Sequence, residues 1–214
     1  MKLVFIGPPG AGKGTQASIW AAKLGVSHIS TGEMFRMIMR MDTPVGREVK
    51  SYMDRHAFVP DELTVRTVQA RLELPDCERG YILDGFPRTV PQAEAFEAAG
   101  LQLDAAIIFA VDKAALAERI VGRRMDPKTG DIYHETWRPW PKGIEDRLIQ
   151  REDDTLDALA RRLDDYRKLT KPLIRFYEGR KLARGVQAGG TPEEVTLAMG
   201  PIMHSLGMGT GPTA

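Results

Sequence analysis

Short apolar runs alternate along this chain with longer stretches in which apolar residues recur every three or four positions. The runs are KLVFI (2–6), VSHIS (26–30), YILDG (81–85), AAIIFAV (105–111) and, more weakly, GVQA (185–188). Near-continuous apolar runs of this length are typical of strands buried on both faces, and strands that alternate with helices form parallel βαβ units. The pattern predicts an α/β fold built on a parallel sheet, with long helices over 155–179.

Two segments interrupt this alternation. Residues 31–73 predict several helices between the second and third strands. Residues 122–154 are rich in Pro, Trp and Gly, and the dipeptides Asp126-Pro127 and Thr129-Gly130 lie beside the alternating sequence DIYHETW. Turn dipeptides next to such alternation are typical of a hairpin, so this segment predicts a small hairpin-like lobe.

Composition limits the partners and the compartment. With 214 residues, 43% of them hydrophobic and 28% charged, the chain suits one domain with insertions. The net charge of +1 favours neither nucleic acid nor a membrane as a partner, and no apolar run approaches the length that spans a bilayer. The only cysteine, Cys77, rules out an internal disulfide and a cysteine-built zinc site. We expect a cytoplasmic protein, since the first strand leaves no room for a signal peptide.

The clearest motif is GPPGAGKGT at Gly7–Thr15, between the first strand and a predicted helix. Glycines allow a tight turn whose N–H groups point at an anion, and the helix that follows adds the positive end of its dipole. Lys13 supplies a charge for the outer phosphates. Phosphate loops usually have Ser or Thr after this lysine, whereas here Gly14 follows it and Thr15 comes one position later. The motif predicts a phosphate-binding loop without the usual hydroxyl ligand for magnesium.

A second motif, DGFPRT, ends the third predicted strand at Asp84–Thr89. An acid at a strand end can face the phosphate site and hold Mg²⁺ through water. Gly85 permits close approach of a ligand, and the planar fork of Arg88 suits phosphate. The alternative, a plain turn into a helix, is disfavoured by the phosphate loop elsewhere in the chain.

Other charged residues are weaker candidates. STGEMFR at Ser30–Arg36 suits a helix start, and its last residue, Arg36, lies where it can reach an anion. Arg119 and Arg123 share one helix face and, with Arg151, bracket the lobe at 122–154. Closure of that lobe would bring guanidinium groups onto a transferring phosphoryl group.

The histidines and tryptophans give less information. We interpret His28 as a packed residue of a strand, and none of the four histidines shows the spacing of a metal site. Trp137 and Trp140 can either stack a base or fill the core of the small lobe, and packing is the favoured interpretation. No nucleophile with an adjacent base is evident, and phosphoryl transfer does not require one.

Together these motifs resemble the adenylate kinase family almost from end to end. The matching segments, in the family's order and spacing, are GPPGAGKGTQA, STGEMFR, VPDEL (59–63), LDGFPRT with Gln92, VGRR (121–124) and REDD (151–154). Glycine after the lysine is itself typical of nucleoside monophosphate kinases. The chain departs from some members in its shorter lid and in lacking the four cysteines that bind zinc there.

The resemblance implies a fold and a reaction. The fold is a P-loop NTPase-type five-stranded parallel sheet flanked by helices, with a nucleoside-monophosphate-binding (NMP) insertion and a lid insertion. Its parts would be a core of residues 1–29, 60–121 and 155–206, an NMP segment at 30–59, a lid at 122–154 and a flexible tail at 207–214. The implied reaction is ATP + AMP ⇌ 2 ADP with Mg²⁺, carried out by a monomer.

Residue by residue, the resemblance also implies two nucleotide sites. The ATP site would comprise Gly10, Ala11, Gly12, Lys13, Gly14, Thr15, Arg119, Arg123, Ile132, Tyr133 and Gly190. The AMP site would comprise Thr31, Arg36, Ala57, Phe58, Val59, Gly85, Phe86, Pro87, Arg88, Gln92, Arg151 and Arg162. The catalytic charges would be Lys13, Arg88, Arg123, Arg151 and Arg162, with Asp84 near Mg²⁺ and no structural zinc.

Two alternatives remain open. A sister kinase acting on UMP or CMP has a similar pattern, although Thr31 and Gln92 at the base-reading positions and the long lid favour AMP. A catalytically silent nucleotide-binding scaffold is disfavoured because the charged residues named above are all retained. A GTPase lacks support, because the chain contains no asparagine and therefore no N-K-x-D motif.

Overall fold

A computed structural model describes residues 1–55 and 57–207 of the chain. Its centre is a five-stranded parallel sheet in the order β2-β3-β1-β4-β7. These strands are β1 Lys2–Ile6, β2 Ser27–Ser30, β3 Tyr81–Asp84, β4 Ala105–Ala110 and β7 Ala183–Gln187. The five strands predicted from the apolar runs are therefore present, and the weakest of them begins two residues earlier than predicted.

Helices cover both faces of this sheet. They are α1 Lys13–Leu24, α2 Thr31–Ile38, α3 Pro44–Met53, α4 Asp61–Leu72, α5 Val90–Ala98, α6 Lys113–Val121, α7 Leu156–Asp165, α8 Pro172–Gly179 and α9 Pro192–Ser205. Several begin at a threonine whose side chain accepts a hydrogen bond from the first turn; Thr89 and Thr155 are examples. The predicted α/β class is confirmed.

Alternation along β1 shows why its residues are almost all apolar. Leu3 and Phe5 face a core shared with α1, α6 and α9, whereas Val4 and Ile6 face a second core shared with α4, α5 and α8. All four side chains are buried. A strand covered on both faces cannot alternate polar and apolar residues, since either face would then bury polar groups.

Two insertions depart from the βαβ order. Helices α2 and α3 lie between β2 and α4 and enclose a small core of their own, formed by Phe35, Val49 and Val59. Between α6 and α7, strands β5 Arg123–Met125 and β6 Ile132–His134 form an antiparallel hairpin. The predicted hairpin is confirmed, whereas the boundaries proposed for the mobile segments stay predictions.

The helical stretch at 155–179 differs from the sequence expectation. A π-helical turn, Tyr166–Thr170, separates α7 from α8. Pro172 has no N–H and cannot donate to the carbonyl of Lys168. The N–H of Lys171 donates to Tyr166 O, the carbonyl five residues earlier, at 2.7 Å, as in a π-helix. The hydrogen-bond ladder therefore shifts by one residue at this point.

Near the C-terminus, α9 ends at Ser205. Most of the tail predicted to be flexible, residues 208–214, lies outside the described residues. Within residues 1–55 and 57–207, no helix is long and apolar enough to cross a membrane.

Candidate active site

The loops that follow the strands meet at the carboxyl edge of the sheet, where they line a cavity of about 540 Å³. This is the edge at which open parallel sheets bind ligands. The loop after β1, the start of α2, the loop after β3, α7 and the β5–β6 hairpin all contribute lining residues. Residues far apart in the sequence, such as Lys13 and Arg162, therefore line one cavity.

The phosphate loop has the backbone that its glycines predict. Gly10 and Gly12 have φ values of 81° and 82°, in the left-handed region that side chains rarely adopt. The Lys13 ammonium folds back and donates to the carbonyls of Gly7 and Pro8, at 2.8 and 2.9 Å. Burial lowers the pKa of Lys13 to about 8, although the nearby Asp84 carboxylate acts to raise it. The loop thus holds a buried cation beside the cavity.

Gly14 is explained by its neighbour across the site. A Cβ atom added at this position would lie 3.2 Å from Asp84 Oδ2, a close contact for any side chain. Burial alone would raise the pKa of Asp84, but His28, the Lys13 ammonium and Arg88 together hold it below its usual value. An ionised carboxylate therefore occupies the space next to the residue that usually carries the hydroxyl in phosphate loops.

His28 corrects the sequence interpretation. We expected a packed strand residue, yet its ring lines the cavity and its Nε2 lies 3.7 Å from Asp84 Oδ2. This separation is too long for a hydrogen bond, and Nε2 has no partner among the described residues. The residue alternates with Ile29 along β2, and only the pairing of β2 with β3 brings it level with the strand that ends at Asp84.

The loop after β3 brings Arg88 to the same wall. Arg88 Nε donates to Gly85 O at 2.8 Å, and the hydroxyl of Thr31 donates to the same carbonyl at 2.9 Å. Gly85 has a φ of 83°, and a Cβ there would lie 2.9 Å from Thr31 Oγ1. Burial and then the neighbouring Arg162 lower the pKa of Arg88 to about 10. Phe86 is buried and joined to Pro87 by a cis peptide bond.

Each of the other predicted phosphate-binding arginines is paired with a carboxylate. Glu33 Oε1 accepts from both Arg36 and Arg151, at 2.5 and 2.7 Å. Arg123 forms a two-point pair with Asp154, whose side chain is fully buried.

Arg162 completes this set by donating to Asp153 at 2.8 Å. Sequence reasoning missed the three acids, Glu33, Asp153 and Asp154, although they lie inside the quoted motifs STGEMFR and REDD. The opposite charges within those motifs were the available signal.

The residues predicted to bind AMP are only partly brought together. Phe58, Gly85, Pro87 and Arg88 line the cavity, and so does Arg36. Thr31, Ala57, Val59, Phe86 and Gln92 do not. Gln92 is 2% exposed and its amide is engaged with the protein on both sides. Their contact with a nucleotide stays a prediction.

The residues predicted to bind the ATP base also line the cavity. Arg119 donates to the carbonyls of Ala188 and Gly190, at 2.8 and 2.7 Å. Its guanidinium lies 5.1 Å from the ring centre of Trp137, which lines the cavity with Ile132 and Tyr133. Trp137 therefore lines the cavity, whereas Trp140 does not.

The metal-binding capacity of the site rests on Asp84. Within the described part of the chain, no group of three or more His, Cys, Asp or Glu side chains is placed to hold a metal ion. A single buried, ionised carboxylate beside a phosphate loop fits Mg²⁺, which keeps several waters and is held mainly by substrate phosphates.

Comparisons with known proteins show the family of this chain. The model of the family described as adenylate kinase matches residues 5–182. The adenylate kinase of Geobacter sulfurreducens is 47% identical over 214 residues, covering 96% of this chain and 99% of the relative. That of Shouchella clausii is 47% identical, covering 87% and 90%. That of Carboxydothermus hydrogenoformans is 43% identical, covering 91% and 95%. The chain belongs to the adenylate kinase family.

Proposed function

We propose that this cavity transfers the terminal phosphoryl group of ATP to AMP, giving two molecules of ADP. Membership of the family makes the chain a nucleoside monophosphate kinase. The observation that carries the proposal is the convergence of one lysine and four arginines on a single cavity beside a phosphate loop: Lys13, Arg88, Arg123, Arg151 and Arg162. Such a density of cations suits a reaction whose transition state spreads negative charge over phosphoryl oxygens.

Catalysis then consists of positioning and charge neutralisation. Lys13 leaves the carbonyls of Gly7 and Pro8 to contact the transferring phosphate, and the forks of Arg123 and Arg162 hold its equatorial oxygens. Arg88 faces the acceptor phosphate from the loop after β3. Burial of these groups strengthens their interaction with the phosphates, because little water remains to screen it.

The cofactor that we propose is Mg²⁺ bound with ATP. Asp84 fits this ion as an ionised carboxylate next to Lys13, and it would hold Mg²⁺ through water. When bound, the ion neutralises phosphate charge. Gly14 leaves room for this arrangement, since no side chain there competes with Asp84 for space.

We assign the two nucleotides to opposite ends of the cavity. ATP lies on the phosphate loop (Gly10, Ala11, Gly12, Gly14 and Thr15), with its base between Arg119, the hairpin residues Ile132 and Tyr133, and the Gly190 main chain. AMP would lie against Arg36, Phe58 and Arg88, and its base would be read by Thr31 and Gln92, which do not line the cavity in the free protein. Ala57 and Val59 contribute main-chain groups to this side.

Segments 30–59 and 122–154 would close over the nucleotides, and the remaining residues would form a fixed core. The ion pair between Glu33 and Arg151 supports this division, because it already joins the first segment to the end of the second. We further propose a monomer, as the resemblance to the adenylate kinase family implies. A cytoplasmic location follows from the intracellular supply of ATP and AMP, and the near-neutral charge supports the absence of nucleic acid or membrane partners.

A coupled assay of the purified protein with Mg-ATP against AMP, UMP, CMP and GMP tests the proposal. We expect kcat/KM for AMP to exceed the other values by on the order of 10²-fold, because a site built to hydrogen-bond one base leaves polar groups unpaired with another. Equal turnover of UMP or CMP would replace the adenylate assignment with the sister-kinase one. No turnover with any acceptor would favour the silent scaffold.

A further inference from the structure

Asp61, the first residue of α4, has a carboxylate that points away from its own helix. Its Oδ1 accepts from Gln92 Nε2 at 2.6 Å, and its Oδ2 accepts from the hydroxyl of Thr89 at 2.9 Å. These partners lie 31 and 28 positions later in the sequence. Within residues 1–55 and 57–207, no backbone N–H of α4 donates to this carboxylate. Both carboxylate oxygens are therefore engaged with residues outside α4.

The contacts of Gln92 show what Asp61 does. Arg88 N donates to Gln92 Oε1 at 2.7 Å, on the other side of the amide from Asp61. A backbone N–H can only donate and an ionised carboxylate can only accept, so the amide has one allowed orientation. If the amide rotated by 180°, its oxygen would face the Asp61 carboxylate and its NH₂ group would face the Arg88 N–H. Because Gln92 is 2% exposed, water cannot relieve that conflict.

We propose that Asp61 is a positioning residue that sets acceptor specificity by fixing the orientation of the Gln92 amide. This inference rests on the proposed function, in which Gln92 reads the acceptor base. A fixed amide keeps one N–H and one oxygen lone pair available on defined sides. An adenine edge, with an amine donor beside a ring-nitrogen acceptor, matches that order.

Guanine presents the reverse order, a carbonyl acceptor beside an N–H donor, and would need the rotated amide. Uracil shares the guanine order, whereas cytosine shares the adenine order. An amide held in this orientation by Asp61 therefore discriminates AMP from GMP and UMP more strongly than it discriminates AMP from CMP. Discrimination against CMP must come from the size of the base instead.

The test uses the isosteric variant Asp61→Asn. An Asn amide can itself rotate, so it can accept from Gln92 Nε2 or donate to Gln92 Oε1. The variant therefore removes one of the two contacts that oppose the rotated amide, and only the Arg88 N–H still disfavours it. Glu62→Gln is the matched control, because it removes a charge from the same turn of α4, where both acids lie in the first turn. Gln92→Ala tests the underlying assignment. The measured quantities are kcat/KM for AMP, GMP and CMP, and KM for ATP.

We expect Asp61→Asn to lower the AMP-to-GMP ratio of kcat/KM by roughly tenfold, the worth of about one hydrogen bond to a charged group. The AMP-to-CMP ratio and the KM for ATP should change less than about twofold, and Glu62→Gln should leave both ratios unchanged. If the Asn variant proves too unstable to assay, Asp61→Ser, which can also donate or accept, gives the same comparison.

Three results would overturn the inference, each for a different reason. If Gln92→Ala abolishes the preference for AMP while Asp61→Asn keeps the ratio, Asp61 does not position the amide and the proposed function stands. If Gln92→Ala keeps the preference, Gln92 does not read the base and both assignments fall. If Asp61→Asn lowers kcat/KM for every acceptor to the same extent and also raises KM for ATP, the role of Asp61 is structural only.

Discussion

Buried charges dominate the site at the scale of single residues. Lys13 and Arg88 both have pKa values lowered by burial, to about 8 and about 10, so the free protein holds them at an energetic cost that a bound phosphate relieves. The neighbouring arginines are held by Glu33, Asp153 and Asp154. These carboxylates keep the arginines oriented in the free protein. In the proposed mechanism, nucleotide binding would exchange the carboxylates for phosphates.

Removing one of these cations should reduce catalysis strongly. We expect Lys13→Ala or Arg88→Ala to lower kcat/KM by on the order of 10²-fold or more, as for loss of a key charged stabiliser. Arg88→Lys should also be impaired, because a point charge cannot replace a planar fork. Lys23→Ala, an exposed lysine on the same helix as Lys13, is the control. Near-normal activity of Lys13→Ala would refute the proposed mechanism.

The lowered pKa of Lys13 predicts proton uptake when ATP binds. In the free protein the ammonium loses its proton as the pH rises through about 8. Phosphate next to it raises the pKa, so at a pH of about 9 binding should take up close to one proton, and affinity should fall as the pH rises above about 8. Calorimetry in buffers of different ionisation enthalpy measures this uptake. The same uptake in Lys13→Ala would assign the proton to another group.

At the scale of elements, the β5–β6 hairpin depends on polar contacts instead of a large core. Asp126 is 1% exposed and accepts from Arg147 and from Lys128 N. The hairpin meets α6 through His134, whose Nδ1 accepts from two backbone N–H groups, so that its Nε2–H donates to Glu118 O at 3.2 Å. A Cβ at Gly122 would lie 2.2 Å from His134 Nε2, so only glycine fits there.

Loss of the Asp126–Arg147 pair should loosen this hairpin. Asp126→Ala removes the acceptor for both partners, and we expect hydrogen exchange within 122–154 to accelerate by on the order of tenfold while β1 stays protected. Asp146→Ala, an exposed acid nearby, is the control. Unchanged exchange in Asp126→Ala would show that other contacts hold the hairpin.

The same pair responds to pH in a defined direction. The hydrogen bond from Arg147 lowers the pKa of Asp126 below its ordinary value of 3.8. Its contribution to hairpin stability is therefore complete above that ordinary value and is lost only as the pH falls through the lowered pKa of the folded state. Amide hydrogen exchange of the hairpin in the wild-type protein should accordingly stay slow down to a pH of about 4. Acceleration near a pH of about 6 would point to a histidine instead.

A further expectation for the hairpin is independence from zinc. Its polar network has no thiolate, since the single cysteine, Cys77, is buried elsewhere in the core. Elemental analysis should find zinc near zero, and a chelator should leave the Tm unchanged when Mg²⁺ is in excess. Stoichiometric zinc would contradict this expectation and would direct attention to His134 and its acidic neighbours.

At the scale of the whole molecule, the sheet carries two insertions, one between β2 and α4 and one between α6 and α7. The central strands are buried on both faces, whereas ion pairs within and between segments 30–59 and 122–154 hold many of their charged side chains, and the Arg162–Asp153 pair joins the second segment to α7. Elements with few buried apolar contacts open most readily, and they are the ones that can close over a ligand.

Hydrogen exchange with nucleotides tests this division. AMP together with a non-hydrolysable ATP analogue should slow exchange in 30–59 and 122–154, and leave the five strands unchanged because they are already protected. The ATP analogue alone should protect 122–154 more than 30–59. Uniform protection across the chain would instead indicate that the molecule responds as one unit.

The sequence by itself determined the strands, the phosphate loop and the order of the motifs. These features are local: burial on both faces requires an apolar run, and a tight anion-binding turn requires glycines at Gly10 and Gly12. The alternation of strand and helix predicted that the strands run parallel. No partner from elsewhere in the chain was needed to predict them.

Only the tertiary structure decided which charges meet. Glu33 and Arg151 are 118 positions apart, and Asp61 and Gln92 are 31 apart, so no local pattern reveals either pair. His28 shows the same limit, because a strand residue looks like packing until the neighbouring strand places Asp84 beside it. Sheet register and helix packing bring such groups within a few ångströms, and the resulting burial shifts their pKa values and orients their hydrogen bonds.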